Sequence, residues 1–212
     1  MKTTSAILTG TAATGGVVGG GVLANSLISK SASKETLGDY FNSKKLTLIS
    51  SLEDSKEDKQ WSEEFTLDQA NIKKYDSKIT DKEKLKNWCQ DSLKLEKEKN
   101  KELIPHLEKW CVLGTIESRL LRSGSELIGD SEEAEWTKIY DKHTTSEDRA
   151  KVNLTGTKEQ NTNNKTTDIQ AIKQFCTNKK GGTFLAEEKA SVYDVVIQWC
   201  TKDKSTGAVS PA

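Results

Sequence analysis

The sequence predicts an all-α, mainly helical protein: an N-terminal apolar helix followed by two tandem, duplicated three-helix modules. Three observations predict it. The stretch Thr80-Asp81-Lys82-Glu83-Lys84-Leu85-Lys86-Asn87-Trp88-Cys89 recurs without a gap as Thr167-Asp168-Ile169-Gln170-Ala171-Ile172-Lys173-Gln174-Phe175-Cys176. Apolar residues elsewhere fall three and four apart with charge between them, the spacing of helices that bury one face. A single uncharged run, Thr3 to Ser29, precedes both copies.

Residues 1–30 are read as a transmembrane or signal-anchor segment. Lys2 and Lys30 bracket the uncharged run, and residues 6–28 are long enough to cross a hydrocarbon layer of about 30 Å. A cleaved signal peptide ending near Val22-Leu23-Ala24 and a Gly-rich tail are the competing readings. Gly15/Gly19 and Gly16/Gly20 form overlapping G-x-x-x-G pairs, a spacing that lets two such helices pack as a homo-oligomer. The basic residues near the run leave its orientation open.

A linker at 31–37 leads into module one, 38–118; module two spans 119–204, and 205–212 is a flexible tail. In module one only Leu46 to Ile49 reads as strand-like. Trp61, Phe65, Ile72, Tyr75 and Ile79 set a first helix. A second runs from Thr80 to about Lys99, with Thr80 as N-cap and Glu83 completing a capping box. Pro105 opens a third, whose stripe continues through Leu107, Trp110, Cys111, Ile116, Leu120 and Leu121 to Gly124. In module two a short helix carries Trp136, Ile139, Tyr140 and His143. The polar run Thr155 to Thr166 reads as a solvated insertion, and helices start near Thr167, capped by that threonine, and near Phe184. Trp61 is echoed by Trp136, and Trp110-Cys111 by Trp199-Cys200. A weaker echo relates Ser43–Ile49 to Ser123–Ile128.

With 33% hydrophobic and 30% charged residues the core is thin. Trp61, Trp88, Trp110, Trp136, Phe175 and Trp199 are expected to supply much of it. The four cysteines, Cys89, Cys111, Cys176 and Cys200, are candidate disulfides. If the helices on either side turn back as hairpins, Cys89 meets Cys111 and Cys176 meets Cys200, and duplication favours pairing within each half. Sequence alone leaves three connectivities open, and free buried thiols remain the alternative.

The 32 basic and 32 acidic residues cancel, which argues against a nucleic-acid surface. The 29 lysines against three arginines read as base composition of the coding genome. No phosphate loop, nucleophile elbow or H-E-x-x-H occurs, so no catalytic, cofactor-binding or metal residue is expected. His106 is the best single candidate for proton transfer, and an ordinary helix histidine is the plainer reading. The acid pairs Glu63-Glu64, Glu132-Glu133 and Glu187-Glu188 are placed near helix starts, where negative charge suits the dipole. Asn153-Leu154-Thr155 and Asn164-Lys165-Thr166 match the glycosylation acceptor pattern.

With its Gly/Ala-rich apolar start Thr9 to Leu27, its twice-used Trp and Cys placement, and Trp110-Cys111 and Trp199-Cys200 closing the halves, the chain resembles the large paralogous families of short proteins of haemotropic mycoplasmas. Those families are uncharacterised, with surface display and antigenic variation proposed for them. The resemblance implies a non-enzymatic, membrane-anchored surface protein, an antigenic or host-interaction module with an unknown protein or host-surface partner. The alternative is a membrane-tethered intracellular scaffold with reduced cysteines.

Overall fold

The computed structural model describes residues Lys34 to Asp203. The expected apolar helix with Gly15 and Gly19, and the tail at 205–212, lie outside the described residues. Within them the chain forms nine α-helices joined by short 3-10 and π-helical turns, with four isolated antiparallel bridges and no named strand. The all-α expectation holds. Three helices per half undercounts what is present.

Helix α1 (Leu37–Ser43) was missed because, at seven residues, it is only about two turns long. Local chemistry specifies it all the same: the Thr36 side chain accepts from the Asp39 amide while Asp39 accepts from the Thr36 amide, a closed capping box. Leu37 and Phe41 are fully buried. The chain leaves α1 through Lys45, which sits at φ 57°. The strand-like run Leu46 to Ile49 pairs only at Leu48, with Val112, before a 3-10 turn at Ile49–Ser51.

Helix α2 (Asp54–Tyr75) is long and kinked at Asp68, whose backbone leaves helical geometry. Helix α3 (Lys82–Leu93) starts later than expected: Asp81, not Thr80, caps it by accepting from the Lys84 amide. Thr80 instead donates to Asp81. The helix stops at Leu93, short of Lys99, and two 3-10 turns lead into α4 (Ile104–Trp110), with Pro105 in its first turn.

The helix expected from Pro105 through Leu121 is two helices. After Trp110 the backbone is drawn into pairing: Ile49 donates to the Cys111 carbonyl and Leu113 to that of Thr47. Thr115 then caps α5 (Ile116–Arg122) by accepting from Ser118. Ile116 and Leu120 pack in the second core, so core membership changes between Val112 and Ile116, ahead of residue 119.

Helix α6 (Glu133–Lys142) ends with His143 at its C-cap, and the short α7 (Ser146–Ala150) was not anticipated. The polar run holds a 3-10 turn at Glu159–Asn164, and α8 (Lys165–Lys180) begins inside it. Thr167 therefore lies in the first turn of α8 and caps nothing. The helix expected near Phe184 is a 3-10 turn at Ala186–Glu188 and a π-helical turn at Lys189–Tyr193, followed by α9 (Asp194–Cys200). Two hydrophobic cores result. One gathers α1 to α4 around Trp61 and Trp110; the other gathers α5 to α9 around Trp136 and Trp199.

Candidate functional site

Each core is closed by one cysteine pair. Cys89 on α3 and Cys111 after α4 lie at disulfide-bonding distance with Cα atoms 5.7 Å apart; Cys176 on α8 and Cys200 at the end of α9 do the same at 5.6 Å. All four are buried. Of the six aromatic residues expected in the cores, Trp61, Trp110, Trp136 and Trp199 are buried, whereas Trp88 and Phe175 are half-buried at the core margins.

Trp110 and Trp199, beside the second cysteine of each bonded pair, each carry a histidine. His106 stacks on Trp110 with ring centres 5.1 Å apart, and Tyr75 leans over the same imidazole at 4.1 Å. His143 stacks on Trp199 at 4.0 Å. His106 is thus held among rings, and no carboxylate or nucleophile bonds to it among the described residues. The two indoles differ in polar environment. Trp110 Nε1 donates to Asp68 at 2.7 Å, whereas Trp199 Nε1 is buried without an internal acceptor among the described residues.

The joint between the cores was not anticipated. Glu63 and Glu64 lie in the middle of α2 rather than at a helix start, and they face α5. Arg119 donates to Glu63 through Nη2 at 2.9 Å, to the Glu63 carbonyl at 3.0 Å, and to Glu64 through Nη1 at 3.4 Å. Its guanidinium lies 3.9 Å from the Phe184 ring centre, a cation–π contact. Arg122 pairs with Glu64, reaches Asp68 at 3.7 Å, and donates to the Lys109 carbonyl at 2.9 Å. Asp68 also accepts from Lys109 Nζ at 2.7 Å. Gln60, one turn earlier, accepts from the Ala186 amide at 2.8 Å and donates to the Phe184 carbonyl.

Charge in this joint is balanced by contact. Burial raises the carboxyl of Glu64 above its ordinary range, against the pull of Arg122 and Arg119. Burial also pushes Asp68 up, but hydrogen bonds from Lys109, Trp110 and Asn71 outweigh it and hold that carboxyl below its usual value. All three arginines of the chain are engaged this way: Arg149, with no exposed surface, donates to the Gly156 carbonyl and pairs with Asp168. The sequence signal for these residues was their scarcity. A chain that otherwise uses lysine keeps arginine where a planar, multiply donating fork must be buried against carboxylates.

The described residues contain no group of His, Cys, Asp and Glu able to hold a metal ion, and no helix long and apolar enough to cross a membrane. The acceptor-pattern residues Asn153 and Asn164 are both exposed. Comparison with models of protein families, with curated proteins and with solved structures finds no match.

Proposed function

We propose that the protein is a non-enzymatic surface module, anchored in a membrane through residues 6–28 and displaying 31–212 outside the cell to an unidentified protein or host-surface partner. The observation that carries this reading is the burial of one cysteine pair at bonding distance inside each core. Such pairs persist as disulfides in oxidising, extracytoplasmic spaces, where each would contribute about 2–4 kcal/mol to a thin core. Balanced, interleaved charge suits a displayed surface and disfavours nucleic acid. Protease treatment of intact cells is expected to degrade residues 31–212; a chain left whole would contradict surface display.

The body is, in this reading, a tandem duplication whose copies begin at Thr36 and Thr115. Thr36 and Thr115 each cap a helix of seven residues. Nine residues after each cap stands a positive-φ residue, Lys45 at 57° and Gly124 at 68°. Four residues on, Ile49 donates to the Cys111 carbonyl and Ile128 to that of Cys200. Leu37 and Ile116 likewise donate to the Leu95 and Gly182 carbonyls. With Trp61 aligned to Trp136, the kink at Asp68 falls on His143, where the second copy ends α6 and starts anew at α7. A repeated scaffold that holds its cores through caps, bridges and cysteine pairs leaves its exposed faces free to diverge.

A further inference from the structure

A hollow of about 360 Å³ opens where α2 and α5 meet the π-helical turn Lys189–Tyr193 and the start of α9. That volume falls at the lower end of the range for small-ligand sites, about 300–1,000 Å³. Most of its polar lining is already committed. Glu63 gives one oxygen to Arg119 at 2.9 Å and the other to Lys189 at 3.2 Å. Thr66 donates to the Ser62 carbonyl, and the hydroxyls of Ser123 and Ser125 bond each other at 3.0 Å. Three groups remain. Tyr193 is only 5% exposed, yet its hydroxyl meets no partner among the described residues and is not sealed from solvent. The seam its ring shares with Phe184 has no room for water, so that hydroxyl opens into the hollow. The Asp194 carboxylate makes no hydrogen bond or ion pair among the described residues. Lys189 directs its ammonium, which has three donors, to Glu63 alone.

We propose that this hollow binds a free amino acid with an apolar side chain. The lining carries two carboxylates, Glu63 and Asp194, and two cations, Arg119 and Lys189, so it is formally neutral. A simple anion would face Asp194 uncompensated, a simple cation would face Lys189, and an uncharged ligand would leave Asp194 without a counter-charge. A zwitterion meets both. Its ammonium donates to Asp194, and its carboxylate accepts from Lys189 and from the Tyr193 hydroxyl. Leu67 and Ile197 supply the apolar wall that receives the side chain. The π-helical turn sets the spacing: its wider winding brings positions five apart onto one face, so Lys189 and Asp194 line the same hollow without pairing to each other. The scaffold itself does not require these groups. With Trp110 aligned to Trp199, the first copy has Asn100, Ile104 and Pro105 at the positions of Lys189, Tyr193 and Asp194, with neither charge nor phenol.

The site belongs to the folded body and is independent of where the chain is displayed, so a negative result leaves the surface reading intact. The test is calorimetric titration of the full-length chain in detergent with L-valine, L-leucine and L-methionine, then with the N-acetyl and amide derivatives of whichever binds. At least one amino acid is expected to saturate, and each derivative, lacking one charge, to bind at least tenfold more weakly. Tyr193→Phe and Asp194→Asn are each expected to weaken binding about tenfold, the loss of one hydrogen bond to a charged group. Tyr193→Phe removes one oxygen that has no internal bond, so its thermal unfolding should match the parent. No saturation by any of the three, undiminished binding of either derivative, or parental affinity in either variant would each overturn the proposal.

Discussion

At the residue scale the fold depends on a few buried polar groups set among many exposed ones. Arg119→Ala leaves Glu63 and the buried Glu64 short of a partner, and is expected to cost about 3–5 kcal/mol in chemical unfolding. Lys94→Ala removes an exposed pair with Asp91 and should change stability by less than about 0.5 kcal/mol. The contrast is the test, since a joint that contributed nothing would give two similar values. Asp68 sets a pH dependence. Because its folded carboxyl is held below the ordinary value, its contribution is present above the usual carboxylate range and lost as pH falls through the folded value. Asp68→Asn should therefore be less stable at pH 7 yet lose less between pH 7 and 3, read from urea midpoints; a parallel loss in both proteins would contradict that role. None of these partnerships could be read in advance. The sequence shows Glu63-Glu64 as an acid pair, but only the approach of α5 to α2 decides what it faces.

At the element scale local signals and tertiary pairing divide the explanation. The aromatic-Cys stretches on α3 and α8, the Trp-bearing helices α2 and α6, and Pro105 in the first turn of α4 were legible, because each follows from periodicity or proline chemistry. The break between α4 and α5 was not. The apolar stripe from Leu107 to Leu121 is continuous in sequence, and what interrupts it is the pairing of Cys111 and Leu113 with Ile49 and Thr47, together with the Thr115 cap. Removing that cap as Thr115→Ala should cost about 1 kcal/mol, and Thr36→Ala a similar amount. Gly124 offers a sharper check. A Cβ there meets nothing within 4 Å, so Gly124→Ala should be destabilising by the left-handed backbone cost alone, about 1–2 kcal/mol. Thermal melts would measure it, and a neutral substitution would remove the reason for pairing Gly124 with Lys45 as equivalent turns.

At the scale of the whole molecule two cores share one long helix. Helix α2 buries Trp61 and Ile72 in the first core while presenting Gln60, Glu63 and Glu64 to the second, which couples the halves through side chains rather than through a continuous apolar interface. Neither core is large, and each is closed by its own cysteine pair, so the redox state of the chain governs both its stability and the compartment it suits. The proposed function requires a duplicated, disulfide-closed body displayed in an oxidising space. It is tested most directly by isolating the protein from its native membrane with thiols blocked, and comparing peptide masses before and after reduction. Linked Cys89–Cys111 and Cys176–Cys200 peptides are the expected result. Four blocked free thiols would contradict it, and would return the body to a reducing compartment as a membrane-tethered scaffold.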